Sequence, residues 1–499
     1  MSTPKSFPRP SVSQIIATGA EFGLALTQER AAEFGEIMEG SFAAYDLCES
    51  LEEVVPQPSF PRRLIAKTPD HPLKAWYATC QCEGAENGPL AGKTVALKDN
   101  IFLAGIPMAN GSSILEGFIP KRDATVVTRL LQAGASIAGK AVCENFCMSG
   151  ASFTSASGMV LNPHDVTRSA GGSSSGCAAL VANGDVDLAV GGDQGGSIRI
   201  PSSHCGIVGM KPTHGLVPYT GAMPIEATLD HVGPMTRTLR DNALMLGVIA
   251  GPDGLDPRQN GMPAQDYLGA MGRGPKGLRV GVLDEGFTVE HMQPDVAEMV
   301  RGCAETLRKA GVEVVSVSIP EHKIADKVWA PIGLEGLTRQ MMEGLGMGFN
   351  WRGQYAPELM EAMEGWRERA EELPVTLQIS LLAGSWVLGQ RHGKTYAKAQ
   401  NLSLQMRAAY DAALSTVDAL LMPTLPYVAP KLPDAETSLI DFMQRALGVN
   451  VSTSQFDVTG HPALTVPCGA LDGLPVGAML VGPWYGEAAL YRIASALME

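Results

Sequence analysis

No run of lysines and arginines occurs in the 499 residues, and the formal net charge is −14. Such a surface repels phosphate backbones, so nucleic acid is not expected as a partner. No stretch of about 18 uncharged apolar residues occurs either, and no membrane span is expected. The amino terminus, Met1-Ser-Thr-Pro-Lys-Ser-Phe-Pro, lacks the apolar core of a secretory leader. Nine cysteines are scattered: Cys80-Gln-Cys82 and the pair Cys143 and Cys147 do not supply four zinc ligands at workable spacing. Buried, reduced thiols in a cytoplasmic enzyme without metal or cofactor are the expectation. Repeats and low-complexity segments are missing too. What remains, 45% hydrophobic and 18% charged residues, is the composition of a globular protein rather than a disordered one.

Glycine is abundant. Its 56 copies exceed the usual share of roughly 7% and cluster at 171–176, 191–196 and 206–221. Ahead of them, residues 11–50 read as helices: Thr27 is a cap, and Ala31, Phe34, Met38, Phe42 and Tyr45 recur at three to four positions. That face needs a partner, either the protein's own body or a second copy. Five prolines in 56–72 mark an extended connection. The expected division is therefore 1–75, a helical extension with its connection, and 76–499, the body. In the body, apolar strands (94–97, 136–140, 278–283, 312–319, 418–422, 474–481) alternate with helices (124–134, 238–250, 294–310), which argues for an α/β architecture. Residues 206–213 read as a tight turn. Residues 321–415 read as a mostly helical insertion over one face, in the position of a lid, and 487–498 as a closing helix.

The stretch 168–201 organises the rest. Arg168-Ser-Ala-Gly-Gly-Ser-Ser-Ser-Gly-Cys and Asp193-Gln-Gly-Gly-Ser-Ile-Arg-Ile-Pro201 are two Gly/Ser turns. Between them lie one short helix and one buried strand. Ten helical residues run about 15 Å out and six strand residues about 20 Å back, so the second turn lands near the first. Ser173 and Ser197 then share a pocket. Successive amides at 193–197 form an anion-binding nest, which phosphate or the oxyanion of acyl transfer could occupy. Neither turn matches G-x-x-x-x-G-K-[ST], which disfavours phosphate. Gly172-Ser-Ser174-Ser-Gly176 matches the G-x-S-x-G elbow of serine hydrolases, but the preceding Asn162-Pro-His-Asp-Val-Thr cannot form the buried strand an elbow needs. Lys98 ends the strand 94–97; on its own it reads as a surface residue. If buried, it becomes a base, because burial disfavours the ammonium form.

These motifs together resemble the amidase signature family over roughly residues 76–499. The matching segments are Lys98-Asp-Asn, Gly171-Gly-Ser-Ser, Asp193-x-Gly-Gly-Ser-Ile-Arg199 with Pro201, and Gly209-Met-Lys-Pro-Thr213. Asn450 to Phe456-Asp-Val-Thr-Gly460-His-Pro, continuing to Pro467-Cys-Gly, and Gly473-Leu-Pro-Val-Gly477 complete the set. The resemblance implies a mixed central β-sheet covered by helices on both faces, and a Ser-Ser-Lys triad. Ser197 would be the nucleophile, Ser173, reached through a cis peptide from Gly172, the bridge, and Lys98 the base. The backbone amides of Gln194, Gly195, Gly196 and Ser197 would form the oxyanion hole, with Asp193 and Arg199 as supports. Gln194 stands where the tRNA-dependent amidotransferase subunit has threonine, and this resembles bacterial amidases of simple carboxamides, whose relatives cleave hydrazides. The expected substrate is a small-molecule amide or hydrazide; an amidotransferase subunit is the alternative of another class. Met148, Leu229, Trp329 and Asn450 are candidates for the substrate pocket, and the N-terminal helices for a homodimer contact.

Overall fold

Apolar runs punctuated by glycine become, in the computed structural model, one mixed sheet of twelve strands among the described residues, 7–498. The leader reading of Met1–Pro8 falls largely outside that range. The strands are β1 (Arg62–Lys67), β2 (Trp76–Cys82), β3 (Thr94–Lys98), β4 (Ser136–Ala141), β5 (Leu188–Asp193) and β6 (Val208–Lys211). They continue with β7 (His231–Thr236), β8 (Arg279–Leu283), β9 (Glu313–Val317), β10 (Ala419–Pro423), β11 (Ala463–Leu471) and β12 (Leu474–Val481). Their order across the sheet is β1-β2-β4-β3-β5-β7-β6-β11-β12-β10-β8-β9. β3 runs parallel to both β4 and β5, with Leu97 opposite Val190, so β3 and β5 end side by side. Open sheets place chemistry at the carboxyl ends of such strands.

The returning unit forms as its sequence predicts. Helix Ser175–Asn183 stops at Gly184, whose φ of 88° closes it, and β5 then leads back, every residue buried. Most of that helix is buried on all sides, as expected where side chains are small and apolar around the whole circumference. Gly176 shows why: a Cβ there would lie 2.5 Å from the Ala75 carbonyl.

Two units divide the chain, residues 1–56 and 57–499. In the first, helices Val12–Glu21 and Gln28–Ser50 are capped by Ser11 and Thr27, and Ala31 is buried while Tyr45 stays exposed. In the second, the Pro-rich connection holds β1, paired antiparallel with β2, so the sheet begins before residue 76. Residues 208–211, read as part of a turn, are β6; pairing with β7 and β11 outweighs the local glycine and proline. The segment 321–415 is helical and strand-free, built on His322–Leu337, Pro357–Met363, Val375–Arg391 and Lys394–Leu414. Seven of the nine cysteines are buried and all are free. No helix among the described residues is long and apolar enough to cross a membrane.

β6 and β7 approach so closely that a Cβ on Gly233 would sit 2.1 Å from the Met210 carbonyl. Gly233→Ala should therefore lower stability by about 1–3 kcal/mol through overpacking, read as a reduced denaturant midpoint.

Candidate active site

At the end of β3, Lys98 is sealed from solvent and donates from Nζ to Ser173 Oγ at 2.7 Å and to the Gly192 carbonyl at 3.2 Å. The peptide between Gly172 and Ser173 is cis. Glu144 backs this turn: its amide donates to the Ser173 carbonyl at 3.2 Å, and burial raises its carboxyl to about 7 despite donors from Phe153 and Thr154. The second turn docks on the first, with the Ser174 amide donating to the Ser197 carbonyl at 3.3 Å. The Ser174 hydroxyl is spent on the Gly192 peptide, as donor to its carbonyl (3.1 Å) and acceptor from its amide (3.3 Å). Ser197 keeps 7% of its surface accessible, whereas Ser173 has none.

Asp193 and Arg199 hold the second turn. Asp193 accepts from the Gly196 amide (2.6 Å), the Ile198 amide (3.0 Å) and Arg199 Nε (3.0 Å). The Arg199 guanidinium also donates to Asp457 Oδ2 at 2.7 Å and to the Thr453 carbonyl at 2.8 Å. Burial pushes the Asp193 carboxyl up, but the Arg199 charge prevails and holds it below the usual carboxylate range. Asp457 goes the other way: burial raises it, and the Asp193 charge adds to the effect. Beneath them, burial lowers the Lys211 amine to about 7.

The carbonyls of the turn are held from outside it. Trp329 Nε1, on helix His322–Leu337, donates to the Gln194 carbonyl at 2.6 Å, and Thr453 Oγ1 donates to the Gly195 carbonyl at 2.5 Å. Gly196 allows this, with a φ of 135° and room for only a hydrogen, since a Cβ would meet Thr453 Oγ1 at 2.3 Å. Of the four amides expected from sequence to form an oxyanion hole, that of Gly196 donates to Asp193 within the turn. Gln194 sends its side-chain Nε2 to Tyr219 Oη at 2.9 Å.

Of the four pocket candidates, Trp329 and Asn450 meet at the turn: both lie about where a Gly195 side chain would point, at 3.5 and 3.6 Å. Both also line a cavity of about 740 Å³ with Ala330, Leu334, Leu447 and Val451. Leu229 packs in a small cluster that includes Trp329, while Met148 lies in the main core. Thr453, Asp457 and Glu144 carry no individual signal in the sequence, although the first two lie within the C-terminal segment that resembles the amidase signature. Cys147, a neighbour of Lys98, is equally silent there. Burial alone would raise its thiol, and the Cys143 thiol and Lys98 amine together lower it. No group of three or more His, Cys, Asp or Glu among the described residues could hold a metal.

Comparison with known proteins identifies the family. The family model described as Amidase matches residues 68–491. An enantioselective amidase of Rhodococcus rhodochrous is 46% identical over 493 residues, covering 97% of this chain and 95% of the relative. Among solved structures, a glutamyl-tRNA(Gln) amidotransferase component of Thermotoga maritima is similar with a TM-score of 0.71 and 30% identity, covering 85% of this chain and 86% of that one. The peptide amidase of Stenotrophomonas maltophilia has a TM-score of 0.68 and 31% identity, with 82% of each chain covered.

Burial lowers the His204 imidazole, under the first turn, to about 3. The native state then stays neutral while the unfolded chain takes up a proton below about pH 6.5, so this group's stability is lost as pH falls from 6.5 towards 3. Wild type should therefore lose about 2 kcal/mol more than His204→Gln between pH 7.5 and pH 5 in urea denaturation; a difference constant with pH would refute the buried neutral ring.

Proposed function

We propose, because the chain belongs to the amidase family, that its site hydrolyses carboxylic amides to the acid and ammonia or an amine. The observation that carries the reading is the solvent-sealed bond from Lys98 Nζ to Ser173 Oγ, 2.7 Å, on a turn docked against Ser197. Ser197 Oγ attacks the carbonyl carbon; its proton passes to Ser173, whose own hydroxyl proton turns to the lone pair of Lys98, which acts as the free amine. The developing oxyanion takes the amides of Gln194, Gly195 and Ser197. The relay then runs backwards to protonate the leaving nitrogen, and water cleaves the acyl-enzyme by the same route. Asp193 and Arg199 act through the shape of the turn, without touching substrate. The acyl group is assigned to the cavity beside Trp329 and Asn450, where Ala330, Leu334, Leu447 and Val451 offer apolar surface to aliphatic or aromatic groups and Glu290, Asp326 and Lys327 add charge to the lining.

A hydrazide would be cleaved by the same steps, since the leaving nitrogen needs only a proton. The amidotransferase reading is disfavoured by Gln194 and by the −14 charge, which opposes a tRNA partner. The 46% identity to an enantioselective amidase across 97% of the chain supports an amide hydrolase.

Incubating the purified chain with a panel of amides, hydrazides and esters, and weighing the products, should reveal acid and ammonia from a simple amide with no added RNA or partner. Ser197→Ala should fold normally and lower kcat by roughly 10³-fold or more; retained turnover would move the nucleophile elsewhere.

For the N-terminal unit, the proposed partner is a second copy of the chain. Phe22, Ile37 and Leu51 there remain 78%, 75% and 66% exposed. Light scattering should give twice the 52.6 kDa chain mass, reduced to the monomer by Ile37→Glu with Leu51→Glu; a monomeric wild type would dismiss the contact.

A further inference from the structure

The segment 321–415 reaches the second turn through Trp329. Trp329 is half-buried, anchored in the cluster of Leu229, Val328, Ile332 and Ala399, and its indole N–H donates to the Gln194 carbonyl at 2.6 Å. A trans peptide is planar, with its carbonyl and the following N–H on opposite sides. Holding the Gln194 carbonyl therefore sets the direction of the Gly195 N–H. The neighbouring peptide is held in the same manner, by Thr453 Oγ1 on the Gly195 carbonyl at 2.5 Å, and its N–H goes to Asp193. Of the two consecutive peptides, the one fixed by Thr453 thus has its amide already used, and the one fixed by Trp329 has it free.

We propose that Trp329 is a positioning residue for the oxyanion turn: through the Gln194 carbonyl it aims the Gly195 amide, so that the helical insertion belongs to the catalytic machinery. The inference rests on the reading of Ser197 as nucleophile. The same indole lines the 740 Å³ cavity assigned to the acyl group. Substrate that packs against the ring bears on the group that orients an oxyanion donor, which links acyl fit to kcat rather than to binding alone. A hydrogen bond realised through the turn counts most where charge develops, in the tetrahedral intermediate.

Trp329→Phe keeps a ring and removes the N–H; replacing Trp329 by benzothienylalanine keeps the ring volume as well, with sulfur in place of the N–H. Both variants are to be assayed for kcat and KM on an amide. Inhibition is measured with the corresponding aldehyde, which adds to Ser197 as a tetrahedral hemiacetal, and with the product acid, which does not. The expected result is a loss in kcat of about tenfold or more, matched by a similar loss in aldehyde affinity, with KM and acid inhibition within about threefold of wild type. Unchanged kcat and aldehyde affinity in the benzothienylalanine protein would overturn the proposal, as would equal losses for aldehyde, acid and KM, which would make Trp329 a wall only. A wild-type enzyme indifferent to the aldehyde would instead overturn the Ser197 reading, so the two failures are distinguishable.

Discussion

A guanidinium buried without any solvent contact is what the second Gly/Ser turn depends on. Arg199 sits between Asp193 and Asp457, two carboxylates brought from the end of β5 and from a short helix 258 residues away from the arginine in sequence. Taking such charges out of water costs several kcal/mol per ion, which only good geometry and further hydrogen bonds offset. Both conditions are met here, because the carboxylate oxygens of Asp193 that bind Arg199 also bind the Gly196 and Ile198 amides. The ion pair and the shape of the turn are therefore one object, which the carboxyl-terminal part of the chain joins through Thr453 and Asp457. Burial, with the Asp193 charge beside it, drives Asp457 towards neutrality although Arg199 and Lys211 oppose the shift.

Around that centre, rigidity comes from several directions. Asp193 holds the turn from within, Thr453 from the carboxyl-terminal segment and Trp329 from the helical insertion. Dipoles fixed before substrate arrives need no reorganisation as charge develops. The first turn is braced separately, by Glu144 behind it and by the Ser174 hydroxyl across to Gly192. Lys98 thus meets Ser173 in a part of the protein that has little freedom to relax.

Much of this was legible in the residues because local signals and global fold agree there. Val95 to Leu97 and Leu188 to Val190 are apolar runs that end in a lysine and in Gly-Gly-Asp, so strand, direction and turn followed together. Ser173 and Ser197 sit in turns too rich in glycine to be anything but loops, and the length of the helix and strand between them brings the turns together. β1 was hidden by the prolines around it, and its mostly exposed residues become a strand by pairing with β2. β6 is four residues long and holds Gly209, so its partners rather than its composition decide it. The bond from Trp329 to Gln194 spans 135 residues, and the diversion of the Gly196 amide to Asp193 depends on one rotamer. Neither has any local signature in the sequence.

Helix Ser175–Asn183, closed in by the backbone at Ala75 and Val142, has a consequence for how this enzyme can change. A side chain larger than hydrogen at Gly176 would collide with that backbone, so this position has nothing to trade. Leu334, Leu447 and Val451 instead border open space in the cavity beside Trp329. On the proposed reading, acyl preference can be rewritten at those cavity residues without disturbing the packing of the helix.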